Sequence, residues 1–493
     1  MKYLIGLDIG TGSTKAVALN LHYKPIATSQ FYYPTDSLKP GYSEQNPEFI
    51  WEAFVLCIKE LKSKLQTEPL AIGLSSAMHS LILVDETHNV LAPMMTWADS
   101  RSFEEAKQLK DSEIGIEVYK ASGTPIHSMS PLCKLIWLQK NEPDLIGKTK
   151  KFISIKEYIW FKLFGEYRID YSIASCTGLF NIHTKTWNEQ ALALAGITAK
   201  QLSIPVSADY FNSNLLPEVF NGLNTKFVIG ASDGCLANLG SEATEKGIAA
   251  VTIGTSGALR LASSKPVFNP SAMTFSYILD EKTYICGGPI NNGGSTLQWL
   301  LKNIFKKENL RAEDYLDLFK QVEATDSGSN GLIFLPYLTG ERAPIWDSET
   351  CGTFFGLNLG HAQKHLARAV LEGICYALND VLKAVEHSSE TIKRIHVSGG
   401  FVHSKIWMQI LADVTGKELI LVLEEDASAV GAAYLAAKAI GLTDNYPVSE
   451  NQKPELIKPD LKNHIRHQKN FLLFKQLYAN LSVTMHQLYH LNA

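Results

Sequence analysis

The sequence predicts a soluble α/β protein built from two related lobes, and three observations carry that expectation. A chain of 493 residues is too long for one ordinary core. A pattern of strand, small-residue turn and strand occurs twice, around Gly10-Thr11-Gly12-Ser13-Thr14 and around Gly254-Thr255-Ser256-Gly257. From residue 392 onward the chain alternates strands (392–397, 418–422) with helices (405–415, 427–439), the β-turn-α arrangement in which ligands gather at the turns.

The remaining elements follow in order. Residues 2–9, 15–21 and 25–33 read as a meander of three strands. Asn46-Pro47-Glu48 is a helix start, with a cap, a proline at the first position and an acid in the first turn. Phe49, Ala53, Cys57, Leu61 and Leu65 then recur every four residues, so this helix packs one face on the sheet, and 70–74 is the next strand. A long helix is expected over 362–387, and the tail is expected to be helical after about residue 466. Its Phe471, Phe474, Leu477, Leu481 and Leu488 are spaced to pack on their own lobe or on a second copy. The lobes divide at 1–244 and 245–493.

Apolar residues at 45% and charged residues at 19% fit a folded globular protein. A net charge of −4 gives no surplus for nucleic acid or an anionic membrane. Seven scattered cysteines without a CxxC argue against a disulfide framework or zinc site and fit a reducing compartment. Asp8 interrupts the first apolar run too early for a signal peptide, and no run reaches the roughly 18 apolar residues of a span. A cytoplasmic protein is expected.

The first turn sets Gly10 and Gly12 where backbone N–H groups can approach phosphates, with Thr11, Ser13 and Lys15 beside them. Asp8, ending the strand, suits magnesium held through retained waters. The same run also suits a plain hairpin turn. It is no dinucleotide loop, since the third glycine is missing and a strand follows. Gly147-Lys148-Thr149 ends like a P-loop, but Glu142 stands at the required glycine, so it reads as surface loop. Two small-residue turns, one opening each half, can grip one polyphosphate. Gly293-Gly294-Ser295 and Ser398-Gly399-Gly400-Phe401 allow close approach by a flat base or by a neighbouring helix.

Asp233, within Gly230-Ala231-Ser232-Asp233-Gly234, can accept a hydroxyl proton during attack on phosphorus, although Asp-Gly is equally a turn pair. Ser75-Ser76-Ala77-Met78-His79 and Trp97-Ala98-Asp99-Ser100-Arg101 offer the apolar wall and polar partners that a polyhydroxylated ligand needs. The pairs His464/His467 and His486/His490 lack a third ligand and read as solvated.

Taken in order, GLDIGTGSTKA, SSAMHS, TWADSR, IKEYIWFKLFGEYRIDYSIAS, GASDG, TIGTSGALR, GGPINNGGSTLQWL, PYLTGERAPIW, GTFFGL and VSGGFVHS resemble the FGGY carbohydrate kinases from about residue 3 to 440. The resemblance implies a two-domain actin-like ATPase (ribonuclease H-like) fold with a nucleotide cleft between the lobes. It implies ATP and Mg2+, with Asp8 for the metal and Thr11, Gly12, Ser13 and Lys15 in the first phosphate loop. It further implies Gly254 and Thr255 in the second loop, Gly294, Gln298, Gly400 and Ser404 around the nucleoside, and Asp233 as catalytic base.

Met78 and His79 fall where the family contacts its sugar. Glycerol kinases carry Arg-Glu there, whereas xylulose kinases also carry Met-His. SSAMHS, TWADSRS, GTPIHSM and IKEYIW are more similar to members acting on gluconate, which adds Trp97, Asp99, Arg101 and Lys156 to the expected substrate residues. Arg101, His79 or Lys156 could face the carboxylate of that sugar acid. A pentulose kinase and, more remotely, a switching ATPase of the same fold remain open, as does a homodimer.

Overall fold

Buried apolar residues at the start of the chain form β1 (Tyr3–Ile9), which turns back into β2 (Ser13–Asn20) and again into β3 (Pro25–Tyr32). The computed structural model describes residues 2–217, 220, 223–387, 389, 391–422, 426–447 and 455–492. Contacts divide the chain into a first unit of Met1–Glu242, Ala262–Cys286 and Asp426–Gln452, and a second of Ala243–Leu261, Gly287–Glu425 and Lys453–Ala493.

In the first unit the helix Pro47–Leu65 starts where Asn46 accepts the Glu48 N–H, and it buries Ile50, Phe54, Cys57, Ile58 and Leu61. The chain then enters β4 (Ala71–Ser76), parallel to β1. Two further strands, β5 (Phe211–Asn212) and β6 (Lys226–Ser232), complete a six-stranded sheet in the order β5-β6-β4-β1-β2-β3. Three adjacent strands, β6, β4 and β1, are parallel, and their register sets Ala231 and Asp8 beside Ser75.

One face of this sheet is covered by a segment from far along the sequence, the helix Ala427–Ala439. Its small residues bring backbone onto backbone. A Cβ on Gly6 of β1 would lie 1.6 Å from the Ala429 carbonyl oxygen, and one on Gly73 of β4 would lie 2.0 Å from that of Ala432. The same helix meets Asp233–Gly240 just as closely, since a Cβ on Gly431 would lie 2.0 Å from the Leu236 oxygen.

The second unit repeats the plan with β7 (Ile248–Ile253) and β8 (Gly257–Ser263) as an antiparallel pair. Parallel to β7 runs β9 (Arg394–Ser398), followed by parallel β10 (Glu418–Leu421) and antiparallel β11 (Leu456–Ile457). The long helix Gln363–Glu386 is buried along most of its length, and Lys405–Thr415 is capped by Ser404.

Three expectations need correction. The tail helix runs Leu461–Asn492 and so starts before residue 466, because Asp460 accepts the Asn463 N–H and opens it earlier. Gly147 and Lys148 end a short helix, Pro143–Lys148, begun by its proline, so they are not loop. The histidines are not solvated as a set: His467 is fully buried, with Nδ1 2.7 Å from the Tyr376 hydroxyl and Nε2 2.9 Å from Ser327 Oγ. His486 meets Asp347 at 2.8 Å and His490 meets Glu349 at 3.3 Å. Among the described residues no group of three or more His, Cys, Asp or Glu could hold a metal ion, and no helix is long and apolar enough to cross a membrane.

Two outcomes follow from this packing. Gly6→Ala should lower unfolding free energy by roughly 3 kcal/mol, because the obstacle is backbone and cannot swing aside; a fall in urea midpoint and soluble yield measures it. Burial holds the His467 imidazole down to about 3. The unfolded chain therefore takes up a proton near the ordinary value of 6.5 that the folded chain refuses, and stability falls as pH drops below it. His467→Gln should flatten the stability profile between pH 6.5 and 5.5, a slope of at most about 1.4 kcal/mol per unit, read from urea melts of both proteins.

Candidate functional site

Asp8, the segment Ser75–His79 and Asp233 leave the same end of β1, β4 and β6, three neighbouring strands. The carboxyl ends of parallel strands are where such sheets bind ligands. Asp8 accepts a hydrogen bond of 2.5 Å from Ser75 Oγ. Its carboxyl is raised above the usual range, mainly by burial and further by Asp426, while the Ser75 bond, Lys156 and Lys15 oppose the shift.

The first turn is braced from several sides. Gly10 N–H donates to Ser13 O at 3.0 Å, Gln45 Nε2 donates to Thr11 O at 2.6 Å, and Trp97 Nε1 donates to Thr11 Oγ1 at 2.9 Å. Ser13 Oγ receives Gln30 Nε2, and Lys15 forms an ion pair with Asp426. A Cβ on Gly12 would meet nothing within 4 Å, so this backbone stands open to approach. A small pocket beside the turn is lined by Gly10, Thr11, Gln45, Met78, Thr96 and Trp97. Gln45 was not singled out by sequence; as one polar side chain in an extended stretch, it carries no local signal.

Asp233 opens the helix Asp233–Gly240, half-buried, with Oδ1 accepting from Gly234 N–H at 2.7 Å. Its strand end is fixed by a buried network. Lys156 Nζ donates to Ala231 O at 2.7 Å and to Asp170 Oδ2 at 2.8 Å, and Ser172 Oγ lies 3.0 Å from Ser232 Oγ. Lys156 is 1% exposed and sits on the helix Ile155–Phe164, whose Ser154 and Glu157 form a capping box.

The other expected substrate residues divide. Met78 is partly buried, and His79, 6% exposed with φ of 65°, holds the Cys176 carbonyl through Nδ1 at 2.8 Å. Trp97 joins the pocket wall. Arg101 instead is enclosed: Nε reaches Asp99 Oδ1 at 2.9 Å, Nη2 reaches Asp99 Oδ2 at 2.7 Å and also Glu44, and its carbon lies 3.6 Å from the Tyr42 ring centre. Asp99, 1% exposed, also receives Ser43 N–H. Arg101 and Asp99 thus brace the segment that carries Trp97.

In the second unit three glycine-rich turns converge. Gly294 N–H donates to Gly254 O at 2.7 Å and Ser295 Oγ to Thr255 O at 2.8 Å, while a Cβ on Gly399 would lie 2.6 Å from Ile253 O. Gly254 and Gly400 face open space, and Thr255 and Gln298 are exposed. Ser404 directs its hydroxyl to the Trp407 N–H as a helix cap. Glu341, buried and pushed up to about 7 by that burial, accepts from Asn291, Asn292 and Arg342 and so shapes the segment before Gly293.

Repeated hairpin-and-sheet units with glycine turns, a half-buried aspartate and a pocket walled by Met78 and Trp97 define a sugar kinase of the actin-like ATPase type. The chain belongs to the FGGY family of carbohydrate kinases: the N-terminal domain of that family matches residues 3–240 and the C-terminal domain residues 249–440. It is 40% identical to the gluconokinase of Bacillus subtilis (strain 168) over 455 residues, 90% of this chain and 89% of that protein. The gluconate kinase of Lactobacillus acidophilus superposes with a TM-score of 0.94 at 33% identity, covering 99% of both chains. A ligand-bound xylulose kinase from Lactobacillus acidophilus gives the same score and identity over 99% of this chain and 100% of that one.

Lys156→Met should leave Asp170 as a buried, unpaired carboxylate and the Ala231 carbonyl without its donor. A loss of about 3 to 5 kcal/mol in urea unfolding is expected, together with lower turnover in whatever fraction remains folded.

Proposed function

We propose that this protein transfers the γ-phosphate of ATP to D-gluconate, giving 6-phosphogluconate and ADP. The observation that carries the reading is the convergence of Asp8, Met78-His79 and Asp233 at one end of three adjacent strands. Identity of 40% to a gluconokinase supports gluconate over other sugars. The two structural matches of equal score leave a pentulose as the second reading.

In this reading Asp233 accepts the proton of the sugar's terminal hydroxyl as its oxygen bonds to the γ-phosphorus, while the bond to the β,γ-bridging oxygen breaks and ADP departs. The braced first turn presents the N–H groups near Gly12, and Thr11, Ser13 and Lys15 stand beside the phosphates. In the second unit Gly254, Thr255, Gly294, Gln298 and Gly400 serve the nucleotide, with Ser404 setting the helix behind them.

Asp8 fits magnesium. Its carboxylate has a hydroxyl donor, forms no ion pair among the described residues and stands near a second acid, Asp426. When bound, the ion would supply positive charge to the phosphate oxygens. Arg101 and Lys156 each have a buried carboxylate partner, which favours His79 for the carboxylate of gluconate. A reaction that draws on ATP and a free sugar acid places the enzyme in the cytoplasm.

ADP release should be fast with gluconate and near background with xylulose, ribulose, glycerol or no sugar. A fast rate with a pentulose alone would replace the substrate, and slow turnover indifferent to sugar would sink the kinase reading. Asp233→Asn should lower turnover by about 100-fold or more while nucleotide binding, read by calorimetry, stays within twofold.

A further inference from the structure

The helix Pro131–Asn141 is capped by Ser130 and buries Leu132, Cys133, Leu135 and Leu138. In the middle of that apolar face stands a cation, Lys134, with 0% of its surface exposed. Its ammonium donates to the His79 carbonyl at 2.7 Å and to the Thr96 carbonyl at 2.6 Å. Those two carbonyls belong to the segments that carry Met78-His79 and Trp97. Leu81 and Met95 exchange backbone hydrogen bonds of 3.0 Å between the same segments, so Lys134 closes the open end of a short ladder.

Nothing in the chemistry of phosphoryl transfer uses Lys134, and a lysine on the apolar face of a helix is costly to bury even with Asp99 nearby. Its burial is matched by what it holds. His79 sits at φ of 65°, a left-handed conformation that a non-glycine residue keeps only when its surroundings dictate it. Lys134 takes the carbonyl of that very residue. Trp97, one residue beyond the other carbonyl, is bonded to Thr11 of the phosphate turn. Arg101 is seated by the same helix, its guanidinium carbon 5.4 Å from the Trp137 ring centre. Burial also lowers the ammonium to about 7, as a poorly solvated cation requires.

We propose that Lys134 is a positioning residue for the sugar, aligning the His79 and Trp97 segments against each other without touching the ligand. The proposal rests on the reading of Met78, His79 and Trp97 as the sugar wall. A methionine would fill the space of the lysine stem and remove both donations, leaving the Thr96 carbonyl with the Asp99 N–H at 3.2 Å and taking the Lys134 donor from the His79 carbonyl. The segments would then drift relative to each other, and displacement on the scale of an ångström costs on the order of 100-fold in productive binding.

The test compares wild type with Lys134→Met, using whichever sugar supports ADP release in the assay above, so that a wrong substrate is exposed there and not here. The sugar KM should rise about tenfold or more, while the nucleotide dissociation constant stays within twofold. A lysine serving only stability would instead lower the melting temperature and the active fraction and leave the sugar KM at the wild-type value; that result overturns the proposal. Should the variant not fold, amide hydrogen exchange of the wild-type protein is followed by peptide mass spectrometry over the Leu81 and Met95 N–H groups of the ladder that Lys134 closes. Sugar alone should slow exchange there several-fold and ATP–Mg alone should not, whereas exchange indifferent to sugar removes Lys134 and its ladder from the sugar site.

Discussion

Backbone contact between the helix Ala427–Ala439 and the strands β1 and β4 is the constraint on which the first unit depends. Glycine at 6 and 73 lets carbonyls of the helix reach the sheet where any Cβ would collide. The benefit is geometric as much as energetic, because a helix seated that closely has little freedom to slide. Ser428 near its start donates to the Asp233 carbonyl at 3.2 Å, and Asp426 at its cap pairs with Lys15 of β2. A segment from far along the sequence therefore fixes both the proposed base and the first turn.

The loops beyond the strands are then stiffened from inside by buried cations. Lys134 draws together two backbone segments, Lys156 ties the end of β6 to Asp170, and Arg101 holds the Trp97 segment through Asp99 and Glu44. The choice of side chain follows the acceptor. A compact ammonium suits single carbonyls arriving from different directions, while the planar fork of Arg101 matches the two oxygens of Asp99. Loops held in this way can present ligand groups with the precision of regular elements.

Local features were legible and distant partners were not. The hairpins, the Asn46 cap and the helices over 405–415 and 427–439 follow from periodicity and capping, which act over a few residues. Charge is visible in a sequence while most of its partners are not: besides Asp99, two positions away, Arg101 meets Glu44 57 positions away, and Asp170 lies 14 from Lys156. His467 was misread for the same reason, its hydroxyl partners being 91 and 140 positions away. Lys134 did leave a signal, a lone cation in the apolar run Pro131-Leu132-Cys133-Lys134-Leu135-Ile136-Trp137-Leu138. Recognising it needed the question of what such a lysine would donate to.

Charge balance then bears on how a sugar acid would lie. At the wall, the cations Arg101 and Lys134 face the anions Asp99 and Glu44, and the cluster is neutral while Lys134 keeps its proton. At the strand ends the acids Asp8, Asp170, Asp233 and Asp426 outnumber the cations Lys15 and Lys156, which leaves a negative surplus. A linear acid carrying its carboxylate at one end and a primary hydroxyl at the other is repelled in one orientation and tolerated in the other. For the sugar acid proposed above, the tolerated one would send the carboxylate toward His79 and the neutral wall and bring the hydroxyl to Asp233. On the proposed reading, phosphorylation at the carbon farthest from the carboxylate would then follow from where Asp8 and Asp233 sit.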